Sequence, residues 1–201
     1  MADRVEDLSR AFERFPGIGP RQAKRFVYHL LSAPQGDRNR LADLIINLGN
    51  DIRQCRMCMR FAGANSDGLC NYCSDTSRDD NVLMLVEKDQ DLLAVERANT
   101  YRGRYFVLGG VITLSGKGSI RERDLIRAVE ERAKAGLSEI VLALSATNEG
   151  EHTADRVREL LSPLRGPIRL SMLGRGLATG SELEYSDAET LAGALQNRRE
   201  T

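Results

Sequence analysis

All four cysteines of this 201-residue chain fall within nineteen residues, as Cys55-x2-Cys58-x11-Cys70-x2-Cys73. Each C-x2-C pair is a knuckle that presents two thiolates to one ion. Four such soft ligands suit a tetrahedral Zn²⁺ in a closed site with no open coordination position. A closed site staples the chain and performs no cleavage. Two disulfides, or four reduced core thiols, are the alternatives. Disulfides fit poorly where nothing suggests secretion, and core cysteines rarely come in C-x2-C pairs. The spacing therefore predicts one structural Zn²⁺ per chain, held by Cys55, Cys58, Cys70 and Cys73.

A second constellation is Phe15-Pro16-Gly17-Ile18-Gly19-Pro20, followed by Arg21, Lys24 and Arg25. Gly17 and Gly19 permit a tight turn and let another backbone come close. The helix that follows offers free N–H groups and the positive end of its dipole, which together favour an anion. Arg21 and Arg25 lie four apart, on one helical face, with Lys24 beside them. A phosphate backbone would meet donors and cations together, so binding would be sequence-neutral and salt-sensitive. A tight helix–helix turn with a solvated basic face is the bland alternative. The hydrophobic residues around the glycines and the basic helix start after them match a helix-hairpin-helix DNA element. His29, further along among apolar neighbours, reads as a packed residue and not a ligand.

A third constellation is acidic. The apolar run at 82–86 ends in Glu87, with Asp89 and Asp91 beyond, and the run at 139–144 leads to Glu149-Gly150-Glu151. In parallel α/β sheets, ligands gather at the carboxyl ends of strands, and carboxylates from two such ends could hold a Mg²⁺. Toprim domains, the catalytic fold of topoisomerases and primases, arrange a glutamate and an Asp-x-Asp pair in this way. Here the glutamate is present as Glu87, but no Asp-x-Asp follows the later strand. Acids at helix N-termini also suit the dipole without any metal. That reading outweighs Mg²⁺ at this edge, and catalysis still more. The segment at 109–119 hints at a phosphate-binding loop and fails, because Gly118 and not Ser or Thr follows Lys117, and the spacing from Gly110 is one too long.

The elements that must position these residues follow from periodicity. Val5, Leu8, Ala11, Phe12 and Phe15 recur at helical spacing, as do Leu41, Leu44, Ile45, Leu48 and Ile52, with a further helix at 21–31 and Asp37 as a plausible N-cap. After the cysteines, strands at 82–86, 105–108, 139–144 and 168–172 alternate with helices near 91–98, 123–135 and 153–161, as in a mostly parallel α/β sheet. Residues 174–185 read as a turn-rich surface loop, and 186–195 as a helix capped by Ser186 or Asp187. The expected organisation is multi-domain α/β: a helical hairpin module at 1–54, a four-cysteine module at 55–80, a Toprim-like domain at 81–172 and a C-terminal helical tail at 173–201. Twenty-nine basic and twenty-nine acidic residues cancel, so any nucleic-acid site is local. The charged N-terminus has no signal-peptide core, and no stretch is apolar enough to span a bilayer, which points to a soluble protein of a reducing compartment with no membrane partner.

The order of these parts resembles the RecR family of bacterial recombination mediators over essentially the whole chain. Phe-Pro-Gly-Ile-Gly-Pro, the cysteine quartet, Tyr101-Arg-Gly-Arg-Tyr-Phe-Val-Leu-Gly-Gly110, Glu149-Gly-Glu-x-Thr-Ala154 and Leu183-Glu-Tyr-Ser-Asp-Ala-Glu-Thr-Leu191 carry the likeness. The resemblance implies a non-enzymatic DNA-binding role in repair. Members act with a RecO-type partner, and sometimes a RecF-type one, to help RecA displace single-strand-binding protein at gaps. They assemble as dimers and ring-shaped tetramers through their N- and C-terminal parts. It also implies a cytoplasmic, nucleoid-associated protein that binds single- and double-stranded DNA. Arg21 and Arg25 match the family's DNA-contacting basic residues, Glu149 and Glu151 fall where its Toprim acids meet RecO, and the four cysteines match its zinc ligands. The chain departs from the family at 143–151, where Ser145-Ala-Thr-Asn148 replaces the usual residues, in the loop at 112–119, and at Arg175-Gly-Leu-Ala. These departures weigh against nucleotide or metal on the Toprim face. A Mg²⁺-dependent Toprim enzyme, a small primase or nuclease, is the alternative function; it would need the missing Asp-x-Asp.

Overall fold

A computed structural model describes residues 3–63, 66–116, 118–164, 166, 168–174 and 176–198. Lys117 and Arg175, both singled out above, lie outside the described residues. The chain divides into two compact units, 1–51 and 52–201.

The first unit holds helices α1 (Arg4–Glu13), α2 (Pro20–Ser32) and α3 (Gln35–Asp51). Asp3 caps α1 by accepting from the Val5 N–H at 3.0 Å, and Glu6 and Asp7 in the first turn suit the dipole. Phe12 of α1 meets Phe26 of α2 edge-to-face at 5.7 Å, and Ala23 and Val27 are buried where the two helices cross. Arg38 ties the start of α3 to the end of α2, donating to the Ala33 carbonyl at 2.6 Å and the Leu30 carbonyl at 3.2 Å. Asp37 is not the cap of α3; it lies in the first turn, because the helix begins two residues earlier, directly after Pro34. The apolar stripe expected on α3 is present, but Leu44, Ile45, Ile46 and Leu48 are all more than 60% exposed. His29 is exposed on the last turn of α2 and not packed, because Ala23 and Val27 alone take the buried positions of that helix.

The second unit begins with a two-residue antiparallel ribbon, β1 (Arg53–Gln54) and β2 (Phe61–Ala62), and the short helix α4 (Asn71–Ser74). A four-stranded sheet follows, built from β3 (Asp79–Val86), β4 (Gly103–Val107), β5 (Glu139–Ala143) and β6 (Arg169–Met172) in the order β4-β3-β5-β6, every pair parallel. Helices α5 (Asp89–Ala98), α6 (Glu122–Lys134) and α7 (Asn148–Leu161) make the crossovers, and α8 (Ala188–Gln196) ends the fold with Asp187 as its cap. Alternation along β3 sorts the core into two faces. Leu83 and Leu85 join Leu125, Val129, Val157 and Leu161 of α6 and α7, while Met84 and Val86 join Leu92 of α5, Tyr105 and Val107. The chain leaves β3 toward β4 on one side and returns to β5 on the other, so the carboxyl ends of β3 and β5 flank the topological switch point.

The cysteine module is part of this unit. Met59 enters the larger core cluster, and the Val107 N–H of edge strand β4 donates to the Cys58 carbonyl at 2.8 Å. Arg104, buried, donates to the Tyr72 carbonyl at 2.8 Å and pairs with Asp80 at 2.6 Å. The module thereby covers a sheet edge that would otherwise present unpaired backbone groups.

Candidate nucleic-acid interface and metal centre

Asp3, Pro20 and the two glycines between the helices define the hairpin. Gly17 has φ +76°, a left-handed turn that a side chain rarely adopts, whereas Gly19 is extended and precedes Pro20, the first residue of α2. Only the first glycine thus supplies the positive φ. Gly19 caps α2 with no side-chain hydrogen bond, so the first N–H groups of the helix stay open. No acid lies in that first turn. Arg21, Lys24 and Arg25 are all exposed; Lys24 pairs with Glu6 at 3.6 Å, and Arg25 donates to Gln22 at 3.4 Å. The turn therefore brings an uncapped helix start and three cations to one surface, with Gly17 and Gly19 beside them.

The cysteines converge as their spacing predicts. Their Sγ atoms all lie within 4.8 Å of one another, with Cys58 and Cys70 at 3.5 Å, and none is in a disulfide. The turns that aim them are specific: Cys55 N–H donates to the Arg60 carbonyl at 2.8 Å, Met59 takes φ +62°, and the Cys70 N–H points at the Cys55 sulfur at 3.4 Å. Hydrogen bonds from Cys58, Cys70 and Cys73 pull the Cys55 thiol far below the usual range, and the bond with Cys55 pushes Cys58 up. Four sulfurs gathered this closely, three of them buried, fit one metal ion and leave no position for a substrate.

At the switch point the structure does something the sequence did not disclose. The Glu87 carboxylate, 8% exposed, accepts two hydrogen bonds at one oxygen, from the Ser145 N–H and the Ser145 hydroxyl, each at 2.7 Å. Ser145 Oγ also meets Thr147 Oγ1 at 3.0 Å, and Thr147 caps α7 by accepting from Gly150 N–H at 3.2 Å. The helix begins at Asn148, earlier than the periodicity suggested, so Glu149 and Glu151 lie in its first turn and not in a loop. Gly150 is required there, because a Cβ would run into the Ser145 carbonyl oxygen. Glu87 latches the β5–α7 turn. Among the described residues, only the cysteine quartet gathers three or more ligand-type side chains; Glu87, Glu149 and Glu151 do not converge on a Mg²⁺ site. The segment at 109–116 is irregular and is tied to α7 through the Ile112 N–H, which donates to Thr153 at 2.9 Å.

Comparison with known proteins bears directly on this arrangement. Residues 5–48 match the model for the RecR helix-hairpin-helix, 81–173 match that of the Toprim domain, and 176–199 match that of the RecR C-terminal region. The chain is 38% identical over 199 residues to Recombination protein RecR of Mycobacterium leprae, covering 97% of this chain and 96% of that protein. With the proteins of the same name from Desulforudis audaxviator and Cutibacterium acnes, identity is 40% and 36%, over 98% and 96% of this chain and 94% of each relative. The chain belongs to the RecR family. Its hairpin, Toprim domain and C-terminal region match the family's models in the order the sequence set out, and the cysteine quartet lies between the first two. Among the described residues no helix is long and apolar enough to cross a membrane.

Proposed function

We propose that the chain is a non-enzymatic mediator of recombination in DNA repair. It binds single- and double-stranded DNA without reading sequence, and works with a RecO-type partner, in some settings also a RecF-type one, to help load RecA at single-stranded gaps in the bacterial cytoplasm. The observation that carries the reading is the uncapped, acid-free start of α2 with Arg21 and Arg25 exposed beside it. Gly17 and Gly19 let the phosphate backbone approach, and Lys24 adds a third charge. Zn²⁺ is the ion that suits the cysteine set, one per chain.

Glu149 and Glu151, presented in the first turn of α7 by the Glu87 latch, are the proposed contacts for a basic surface of the RecO-type partner. The exposed apolar face of α3, with Leu44, Ile45 and Leu48, and the exposed Leu183, Tyr185 and Leu195 near the C-terminus support self-association through both ends into a dimer or ring tetramer.

The double substitution Arg21→Ala, Arg25→Ala tests the reading. DNA affinity should fall alike on unrelated sequences, and the slope of log affinity against log salt should shrink by about 2, roughly one phosphate contact per arginine. Unchanged affinity and slope at low salt would overturn it. Cleavage or primer synthesis in Mg²⁺ that is lost in Glu87→Gln would instead favour a Toprim enzyme.

A further inference from the structure

The first cysteine knuckle carries a surface that neither the metal nor the sheet uses. Residues 52–63 contain Arg53, Arg56 and Arg60 and no acidic residue. On the ribbon, Arg53 pairs with Ala62 and Gln54 with Phe61. Phe61 is 55% exposed and belongs to none of the three core clusters, so the fold does not need its ring.

The ring is nevertheless held in place. Its residue is fixed by strand pairing to Gln54 and by its own N–H, which donates to Asp89 at 3.0 Å. The Arg121 guanidinium lies 5.9 Å from the ring centroid, anchored by the carbonyls of Met59 at 3.0 Å and Val107 at 2.9 Å. Among the described residues no carboxylate pairs with Arg121, so its charge faces the ring unneutralised. Asp89, the nearby acid, is offset by Arg60 at 4.0 Å, and the Arg60 guanidinium covers the Tyr72 ring at 4.6 Å. Arg53 and Arg56 are exposed and, among the described residues, make no side-chain bond or ion pair.

A rigid, exposed aromatic face beside an unneutralised guanidinium, with free arginines on the same knuckle, has the chemistry of a stacking platform for an unpaired base. Every base has a π-face, so such a contact tolerates any sequence, and a duplex hides those faces in its stack. We infer that Phe61, backed by Arg121 and flanked by Arg53 and Arg56, stacks on a base of single-stranded nucleic acid, as a contact separate in sequence from the hairpin. This rests on the reading that the chain binds DNA and adds to it a preference for single strands.

The chain has no tryptophan, so Phe61→Trp installs its sole indole at the ring position. Titration of this variant with oligothymidylate should quench its emission in step with binding, followed separately by anisotropy of a labelled strand. A blunt duplex should bind with little quenching. Phe61→Ala should weaken oligothymidylate binding about tenfold, leave duplex affinity within about twofold, and keep its metal content. The Arg21→Ala, Arg25→Ala protein should lose affinity for both. An unquenched indole in the saturated complex, together with unchanged affinity of Phe61→Ala, would overturn the inference while leaving the hairpin reading standing. A change in solution mass in Phe61→Ala without any change in DNA binding would overturn it too, by making the ring a protein contact. If the unaltered chain binds no DNA at all, both readings fail.

Discussion

Glu87, at the end of β3, makes its contacts at the turn that leaves the neighbouring strand β5. One of its oxygens takes both donors of Ser145, and among the described residues Glu87 does not gather with other acids into a set of metal ligands. Its work is to hold the turn that starts α7. Glu87→Gln keeps an acceptor oxygen for both donors, whereas Glu87→Ala removes the acceptor shared by the Ser145 N–H and hydroxyl. In urea unfolding, Glu87→Ala should cost about 2 kcal/mol and Glu87→Gln less than about 1. Equal losses would mean that the negative charge itself, and not its acceptor geometry, is what the turn requires.

Among the elements, α5 and β4 are joined by a buried polar cluster. Arg78, nearly fully buried, pairs with Glu96 at 2.6 Å and donates to the Gly103 carbonyl at 3.1 Å, and the Tyr105 hydroxyl donates to the other Glu96 oxygen at 2.6 Å. Burial would by itself raise the Glu96 carboxyl, but the hydrogen bonds from Arg78 and Tyr105 outweigh it and hold the group below its ordinary 4.5. A carboxylate depressed in the folded state stabilises the protein above its unfolded value, and that contribution is lost as pH falls from about that value through the folded one. The denaturation midpoint should therefore drop on acidification below the ordinary carboxylate range. Glu96→Gln should cost about 2 kcal/mol at neutral pH and blunt that acid-side loss. The cysteine module is the other decisive element. Because the Cys58 carbonyl binds strand β4 and Met59 enters the core, a metal bound by the four thiols would be coupled to the sheet edge. Cys58→Ala should express poorly, and elemental analysis of the freshly reduced unaltered protein should return one zinc per chain.

On the scale of the whole molecule, the first unit leaves an apolar helix face in water. Leu44, Ile45, Ile46 and Leu48 lie on α3, and α1, α2 and α3 line an apolar groove of about 520 Å³ that includes Leu8, Phe12, Leu41 and Ile45. A lone chain gains nothing from that exposure, and burial against a second copy would recover about 25 cal/mol per Å² of it. Leu44→Asp with Leu48→Asp should lower the solution mass measured by light scattering by at least one step of assembly, while the circular dichroism of the sheet unit is retained. A mass identical to that of the unaltered chain would count against self-association through α3.

Much of this was legible from local chemistry. Sulfur spacing set which thiols gather, apolar runs alternating with amphipathic stretches set a parallel sheet, and Gly17 and Pro20 set the hairpin turn, because each depends on neighbours a few residues apart. Helix starts were less visible. The α7 start depends on Thr147 as a cap, and a polar stretch reads equally as loop or first turn. The fate of α3's apolar stripe was hidden as well, since periodicity announces a face but not what covers it. What only the tertiary structure decided is contact at long range. Glu87 and Ser145 are 58 residues apart, and Arg121 reaches Met59 across 62. The sequence by itself determined which groups this chain carries to its sites. Crossing β3 to place β5 beside it decided that the acidic edge is a latch, and docking the knuckle on β4 decided that Phe61 faces outward beside a fixed guanidinium.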